Sequence, residues 1–142
     1  MIYAAVLAGG SGLRMGGDMP KQFLHVGGRP IIIRSIDAFA ESGLVDKIYV
    51  AVSADYIDYT KKLISRFCPD VAAVVLEGGS NRNETLFNVL KDIEKNLKTN
   101  EYKRIKIGIS NNKAFYIVTK EYKEVKKYIP DIEKLVNKKG EL

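Results

Sequence analysis

The chain has 142 residues, 46% apolar and 28% charged, with 12 glycines, 4 prolines and a formal net charge of +6. That length suits one domain burying roughly two-thirds of its unfolded surface, and the ordinary apolar content argues against disorder. No apolar run approaches the ~20 residues of a membrane span, and residues 1–7 reach glycine too soon for a secretory core of ~7–15 residues, so a soluble, cytoplasmic protein is expected.

Residues 1–8 form a small and β-branched run stopped by Gly9-Gly10, which predicts a strand buried on both faces. After a glycine-rich loop, Pro30 opens a helix with Ile33, Ile36, Asp37, Phe39 and Ala40 on one side, ending at Gly43. Residues 47–53 read as the next buried strand, and 55–67 as a helix with Ile57, Leu63, Ile64 and Phe67 inward and Pro69 beyond its end. A third strand is predicted over 71–76. Gly78-Gly79 punctuates it, and 81–97 reads as a helix with Leu86, Val89, Leu90, Ile93 and Leu97 at three- and four-residue spacing. This alternation predicts an α/β fold: a doubly wound, mostly parallel sheet, Rossmann-like, with right-handed crossovers and helices on both faces.

From Thr99 the texture changes. Residues 105–109 and 114–118 flank 110–113, a predicted β-hairpin because Asn tolerates the left-handed conformation of such turns. Tyr122, Val125, Ile129, Ile132 and Val136 then line one side of a final helix that Pro130 is expected to bend or break. No internal repeat divides the chain. The break near 98–102 is a join within one domain or a short extension, setting residues 1–97 apart from a divergent hairpin and basic helix over 98–142.

Residues 1–90 carry 9 Lys/Arg and 9 Asp/Glu, whereas 91–142 carry 14 and 8, so the positive excess sits in the last third. Nucleic-acid binding is the sharp reading of that asymmetry. The lysines, however, alternate with Glu at helical spacing and the tyrosines among them fit a buried stripe, which favours a solvated helix face and neither a nucleic-acid nor a membrane partner. Cys68 is the one cysteine and His25 the one histidine, so neither a disulfide framework nor a zinc site can be built. Cys68 reads as a small core residue and His25 as a surface or partly buried one. Any metal would be a hard, oxygen-bound ion such as Mg²⁺.

The chemistry concentrates in Ala8-Gly9-Gly10-Ser11-Gly12-Leu13-Arg14, with Lys21 of Pro20-Lys21-Gln22 seven residues past the arginine. This stretch leaves a buried strand at the carboxyl edge of the sheet, where open α/β folds bind ligands. It is not a Walker A loop, because no Gly-Lys-Ser/Thr follows, and it misses the dinucleotide fingerprint, because the third position after Gly12 is Met15. Its logic suits a nucleoside triphosphate. Glycines let amides approach phosphate oxygens, Arg14 can hold two of them in its planar fork, and Lys21 adds a compact charge. The plainer alternative is a tight turn with two solvated cations. For Gly78-Gly79-Ser80 the alternative is a strand end with a helix N-cap, Glu84 near the first turn and Arg82 solvated.

Ala8-Gly-Gly-Ser-Gly-Leu-Arg14, Pro20-Lys-Gln22 and Gly78-Gly-Ser-Asn-Arg-Asn-Glu-Thr85 together resemble the cytidylyltransferases acting on sugar-alcohol phosphates. The resemblance covers residues 1–97 and leans to the ribitol-5-phosphate branch over the 2-C-methyl-D-erythritol 4-phosphate branch of isoprenoid synthesis. It implies transfer of CMP from CTP to a polyol phosphate with release of pyrophosphate. It also implies that Arg14 and Lys21 neutralise charge during the reaction, that Ala8, Gly9, Gly10, Ser11 and Gly12 wrap the nucleotide, and that Gly79, Ser80, Arg82 and Thr85 lie around it near the pyrimidine. In phosphoryl chemistry positioning and cations carry most of the catalysis. Mg²⁺ is the implied cofactor, yet the family's His-Asp-Ala-x-Arg-Pro segment, whose Asp helps bind it, has no counterpart here, nor has the arm that builds the acceptor pocket and the dimer. Asp18 and Asp55 are the nearest carboxylates, read first as turn or cap residues. Residues 104–108 resemble a strand near the family's carboxyl end, which would make Lys106 a substrate-phosphate ligand. Three expectations stay open: a nucleotide-binding relative without turnover, a minimal enzyme using other carboxylates, and a chain completed by a second copy or a partner chain.

Overall fold

The computed structural model describes residues 1–8, 20–110 and 113–140. In chain order the elements are β1 (Ile2–Ala8), a 3₁₀ turn (Lys21–Phe23), the short strands β2 (His25–Val26) and β3 (Arg29–Pro30), α1 (Ile31–Glu41), β4 (Lys47–Val52), a 3₁₀ turn (Ala54–Tyr56) and α2 (Ile57–Phe67). Then come β5 (Ala73–Glu77), α3 (Arg82–Leu97), β6 (Lys103–Ser110), β7 (Lys113–Thr119), α4 (Tyr122–Val125), a 3₁₀ turn (Lys126–Tyr128) and α5 (Ile129–Gly140).

The five-stranded sheet has the order β5-β4-β1-β7-β6, with β1 pairing parallel to β4 and antiparallel to β7. β4 and β5 are parallel, and β6 and β7 form the expected hairpin, whose Asn111-Asn112 lie outside the described residues. Four strands therefore share a direction and β7 alone opposes them. Because β1 is central, its alternate residues serve both sides. Ala4, Val6 and Ala8 join a core with Ile32, Ile33 and Ile36 of α1, Leu63 and Ile64 of α2, and Ile132 and Val136 of α5. Tyr3, Ala5 and Leu7 join a second core with Leu86, Val89, Leu90 and Ile93 of α3. Helices cover both faces, as the alternating pattern predicts.

Local chemistry sets the boundaries. Pro30 is the N-cap of α1, and past Ser42 the chain turns through Gly43 at φ +70°, a left-handed position that costs glycine little. Ala40, expected on the inward stripe, is exposed, because Ile31, Ile32 and Ala38 widen the buried side instead. The third strand starts at Ala73 rather than residue 71 and runs on to Glu77. The final helix breaks ahead of Pro130. The chain restarts as α5, where the missing proline N–H falls in the first turn, whose donors have no intrahelical partner. Val125, Ile129, Ile132 and Val136 are buried as expected, but Tyr122 (37% exposed) and Tyr128 (38%) are not, which corrects the buried-tyrosine stripe. Lys127 Nζ sits 5.1 Å from the Tyr128 ring.

Candidate functional site

Three strands end level with one another. Ala8 of β1 is in register with Val52 of β4, and Val52 with Glu77 of β5. The chain thus leaves β1 into Gly9 and β5 into Gly78 at the same height, two strands or about 10 Å apart. This is the carboxyl edge of the parallel strands, and Ala8 and Gly78, the described ends next to the two glycine motifs, lie on it.

On the β5 side, Gly78 N–H donates to the Val52 carbonyl (2.7 Å), carrying the parallel ladder with β4 one rung past Glu77. Asn81, in extended conformation, then caps α3: its Oδ1 accepts from Glu84 N–H at 2.8 Å. The cap is Asn81, not Ser80, which corrects the simpler reading of this motif. Ser80 Oγ instead donates to Glu84 Oε2 at 2.8 Å. Thr85 is 1% exposed; its hydroxyl donates to the Asn81 carbonyl and accepts from Gly79 N–H, both at 2.9 Å. A methyl on Gly79 would stand 2.6 Å from Glu84 Cβ, so a side chain there displaces the carboxylate that Ser80 holds. Arg82 is the first helical residue, exposed and without an ion-pair partner among the described residues. The helix dipole and the uncapped N–H groups of this turn favour negative charge nearby.

On the β1 side, Gly9, Gly10, Ser11, Gly12, Arg14 and Asp18 lie outside the described residues. The chain is described again from Pro20, which is buried, and Phe23 N–H donates to the Pro20 carbonyl at 3.1 Å. The Lys21 backbone belongs to the 3₁₀ turn there, whereas its side chain lies outside the described residues. Gln22 is 7% exposed, and its Nε2 donates to the Ala8 carbonyl at 3.1 Å. Phe23 is fully buried, stacked on Tyr56 with ring centroids 4.8 Å apart and edge-on to Tyr59 at 5.4 Å. The return of the chain is thereby fastened to the segment following β4. Gln22, Asn81 and Glu84 add to the expected site residues. A lone amide beside an apolar position was the available sign for Gln22, and the Asn-x-x-Glu spacing was the sign for the other two.

The remaining candidates lie elsewhere. Lys106 is exposed on β6 opposite Tyr116, level with Ala5, so it stands three residues or about 10 Å short of the carboxyl edge. Asp55 is exposed in the turn before α2. His25 is exposed, its ring edge-on to Phe67 at 6.3 Å. Cys68 is buried and donates to Asp37 Oδ1 at 3.4 Å; burial first, then the Asp37 carboxylate, pushes its thiol up to about 11. Arg29, held in its charged form chiefly by its hydrogen bonds to Asp37, braces the same cluster through Nε–Oδ2 at 2.9 Å and Nη2–Oδ1 at 3.0 Å. A groove of about 360 Å³ opens beside Cys68 between α2 and β5. Its lining extends back to Val71, toward the amino edge. Among the described residues, no three His, Cys, Asp or Glu side chains come together as a metal site, and no helix is long and apolar enough to cross a membrane.

A family model described as IspD, 2-C-methyl-D-erythritol 4-phosphate cytidylyltransferase, matches residues 2–100. Ribitol-5-phosphate cytidylyltransferase of Lactiplantibacillus plantarum is 42% identical over 95 residues, and that of Streptococcus pneumoniae 38% over 97. Each alignment covers 66% of this chain and 41% of the relative, so the chain spans about two-fifths of the length of these curated relatives. A crystal structure of 4-diphosphocytidyl-2C-methyl-D-erythritol synthase aligns at TM-score 0.50 and 25% identity, over 62% of this chain and 40% of that one. Another synthase of that name, from Anaerococcus prevotii, aligns at TM-score 0.50 and 16% identity over 95% of this chain and 82% of its own, a likeness of fold that extends past the family-matched stretch.

Proposed function

The chain belongs to the 2-C-methyl-D-erythritol 4-phosphate cytidylyltransferase family, and on that premise we propose that it transfers CMP from CTP to a sugar-alcohol phosphate, ribitol 5-phosphate by preference. One observation carries the reading. The matched stretch contains both glycine turns, and the described ends of both meet the same carboxyl edge about 10 Å apart, a span suited to a nucleotide lying across β1, β4 and β5. In this reading the segment after β1, with Arg14 and Lys21, takes the triphosphate, while Gly79, Ser80, Arg82 and Thr85 surround the cytidine. An oxygen of the acceptor phosphate attacks the α-phosphorus, the bond from that phosphorus to the bridging oxygen of the β-phosphate breaks, and pyrophosphate leaves. Arg14 and Lys21 offset the charge that spreads over the phosphoryl oxygens. Thr85, its hydroxyl engaged with Gly79 and Asn81, holds the base-side turn in shape.

The described residues form no Mg²⁺ cage. Mg²⁺ is commonly held through substrate phosphates and water, so we propose that the ion is taken up with CTP. The ribitol preference is supported by the names of the relatives at 38–42% identity; the family model and the structural neighbours carry the methylerythritol name, which makes that acceptor the second reading. Acceptor contacts from a second copy or a partner chain belong to the same proposal. Incubation with CTP, Mg²⁺ and each polyol phosphate, with pyrophosphate measured, should show release with ribitol 5-phosphate. Stabilisation by CTP without release from either acceptor leaves a nucleotide-binding module, and no stabilisation by any nucleotide removes the reading. A ligand at 100 times its Kd stabilises by about 2.7 kcal/mol, well within reach of a melting experiment.

A further inference from the structure

We infer that Gln22 is a positioning residue: its side-chain amide fixes the backbone carrying Lys21 against the end of β1 and so sets the grip on the triphosphate, an inference that rests on the nucleotide reading above. Gln22 is 7% exposed. A primary amide taken out of water must find partners or lose about 1–3 kcal/mol, and Nε2 finds one in the Ala8 carbonyl, fourteen positions back at 3.1 Å. The turn holding it cannot easily shift. Phe23 N–H is bonded to the Pro20 carbonyl, and the Phe23 ring is wedged between Tyr56 and Tyr59. The amide therefore joins the last residue of β1 to the residue after Lys21, bringing together the two described ends of the stretch that holds the glycine motif. Fixing those ends lowers the ordering cost of gripping phosphates. Gln22 acts through Lys21 and the residues after Ala8, without touching the ligand.

The test uses the 142-residue chain and two probes, CTP and CMP, titrated by calorimetry. Gln22→Met keeps length and volume and loses the donor. We expect its CTP affinity to fall at least tenfold while its CMP affinity changes less than twofold, because only the triphosphate reports on this side of the edge. A merely structural role would lower the melting temperature and leave the ratio of the two affinities unchanged, which overturns the inference. Where Gln22→Met does not fold, Gln22→Glu serves. Its carboxylate cannot donate at pH 8, whereas the protonated acid can, and burial raises that carboxyl above its ordinary ~4.3. The ratio, normalised to the unmodified chain, should recover as pH falls toward 5, and a flat ratio overturns the inference. Failure of the unmodified chain to bind CTP sinks the nucleotide reading itself. CTP binding by the unmodified chain with an unchanged ratio in the variant sinks only the role of Gln22.

Discussion

The two turns at the carboxyl edge are held in opposite ways. The turn after β5 is closed by contacts among near neighbours, with Gly79, Ser80, Asn81, Glu84 and Thr85 bonded to one another within six residues. Among the described residues, the return after β1 is fastened by the Gln22 amide reaching across fourteen positions, backed by an aromatic wedge from the segment after β4. A locally closed turn forms with its helix, whereas a turn closed at long range depends on the sheet being assembled first. The turn after β5 is therefore built as part of α3, and the return after β1 as part of the tertiary fold.

The largest expected effect breaks the two sides apart. Arg14→Ala or Lys21→Ala should lower turnover by about 100-fold or more, as loss of a transition-state charge partner does, while the melting temperature barely moves; unfolding of either variant with nucleotide affinity intact in the folded remainder would mark a structural residue. On the other side the balance reverses. Thr85→Val keeps the shape and removes the hydroxyl that receives Gly79 N–H, so we expect a loss of about 2 kcal/mol, read from urea midpoints. Asn81→Ala removes the cap on Glu84 N–H and should cost about 1 kcal/mol, or about 3–5 °C in melting temperature. A smaller effect lies away from both turns. The folded Cys68 thiol, raised from 9.0 to about 11, stays protonated after the unfolded thiol has ionised. Its contribution is full below about pH 9 and declines as pH rises from 9 to 11, so Cys68→Ala should make the slope shallower in urea titrations across that range, the remainder coming from Tyr49 and Tyr102, which burial raises from 10.0 to about 12.

What the sequence disclosed follows the same division. The three- and four-residue spacing of Leu86, Val89, Leu90 and Ile93 carries α3, and these four side chains are buried where the spacing puts them. The fold class was legible for the same reason, since alternating runs and helical stripes are local. The placement of β7 beside β1, antiparallel, was not, because nothing within 113–119 says which edge it joins. Tyr122 fits the helical stripe on paper, yet it and Tyr128 face solvent while Val125, Ile129, Ile132 and Val136 stay buried across the break before Pro130. Gln22 shows the limit most clearly: its neighbours in sequence are a cation and a phenylalanine, and the carbonyl that explains it belongs to another element.

α3 has two duties along one axis. Its first turn shapes the edge beyond β5, and its remaining length roofs one face of the sheet, tied down by Asn96 Nδ2 donating to the Tyr49 hydroxyl at 2.6 Å and the Tyr102 hydroxyl donating to Glu94 Oε1 at 2.8 Å. Occupancy and cohesion are consequently linked: a molecule gripping the start of this helix should slow amide hydrogen exchange along all its turns, and warming that frays it would dismantle recognition and roof in a single event.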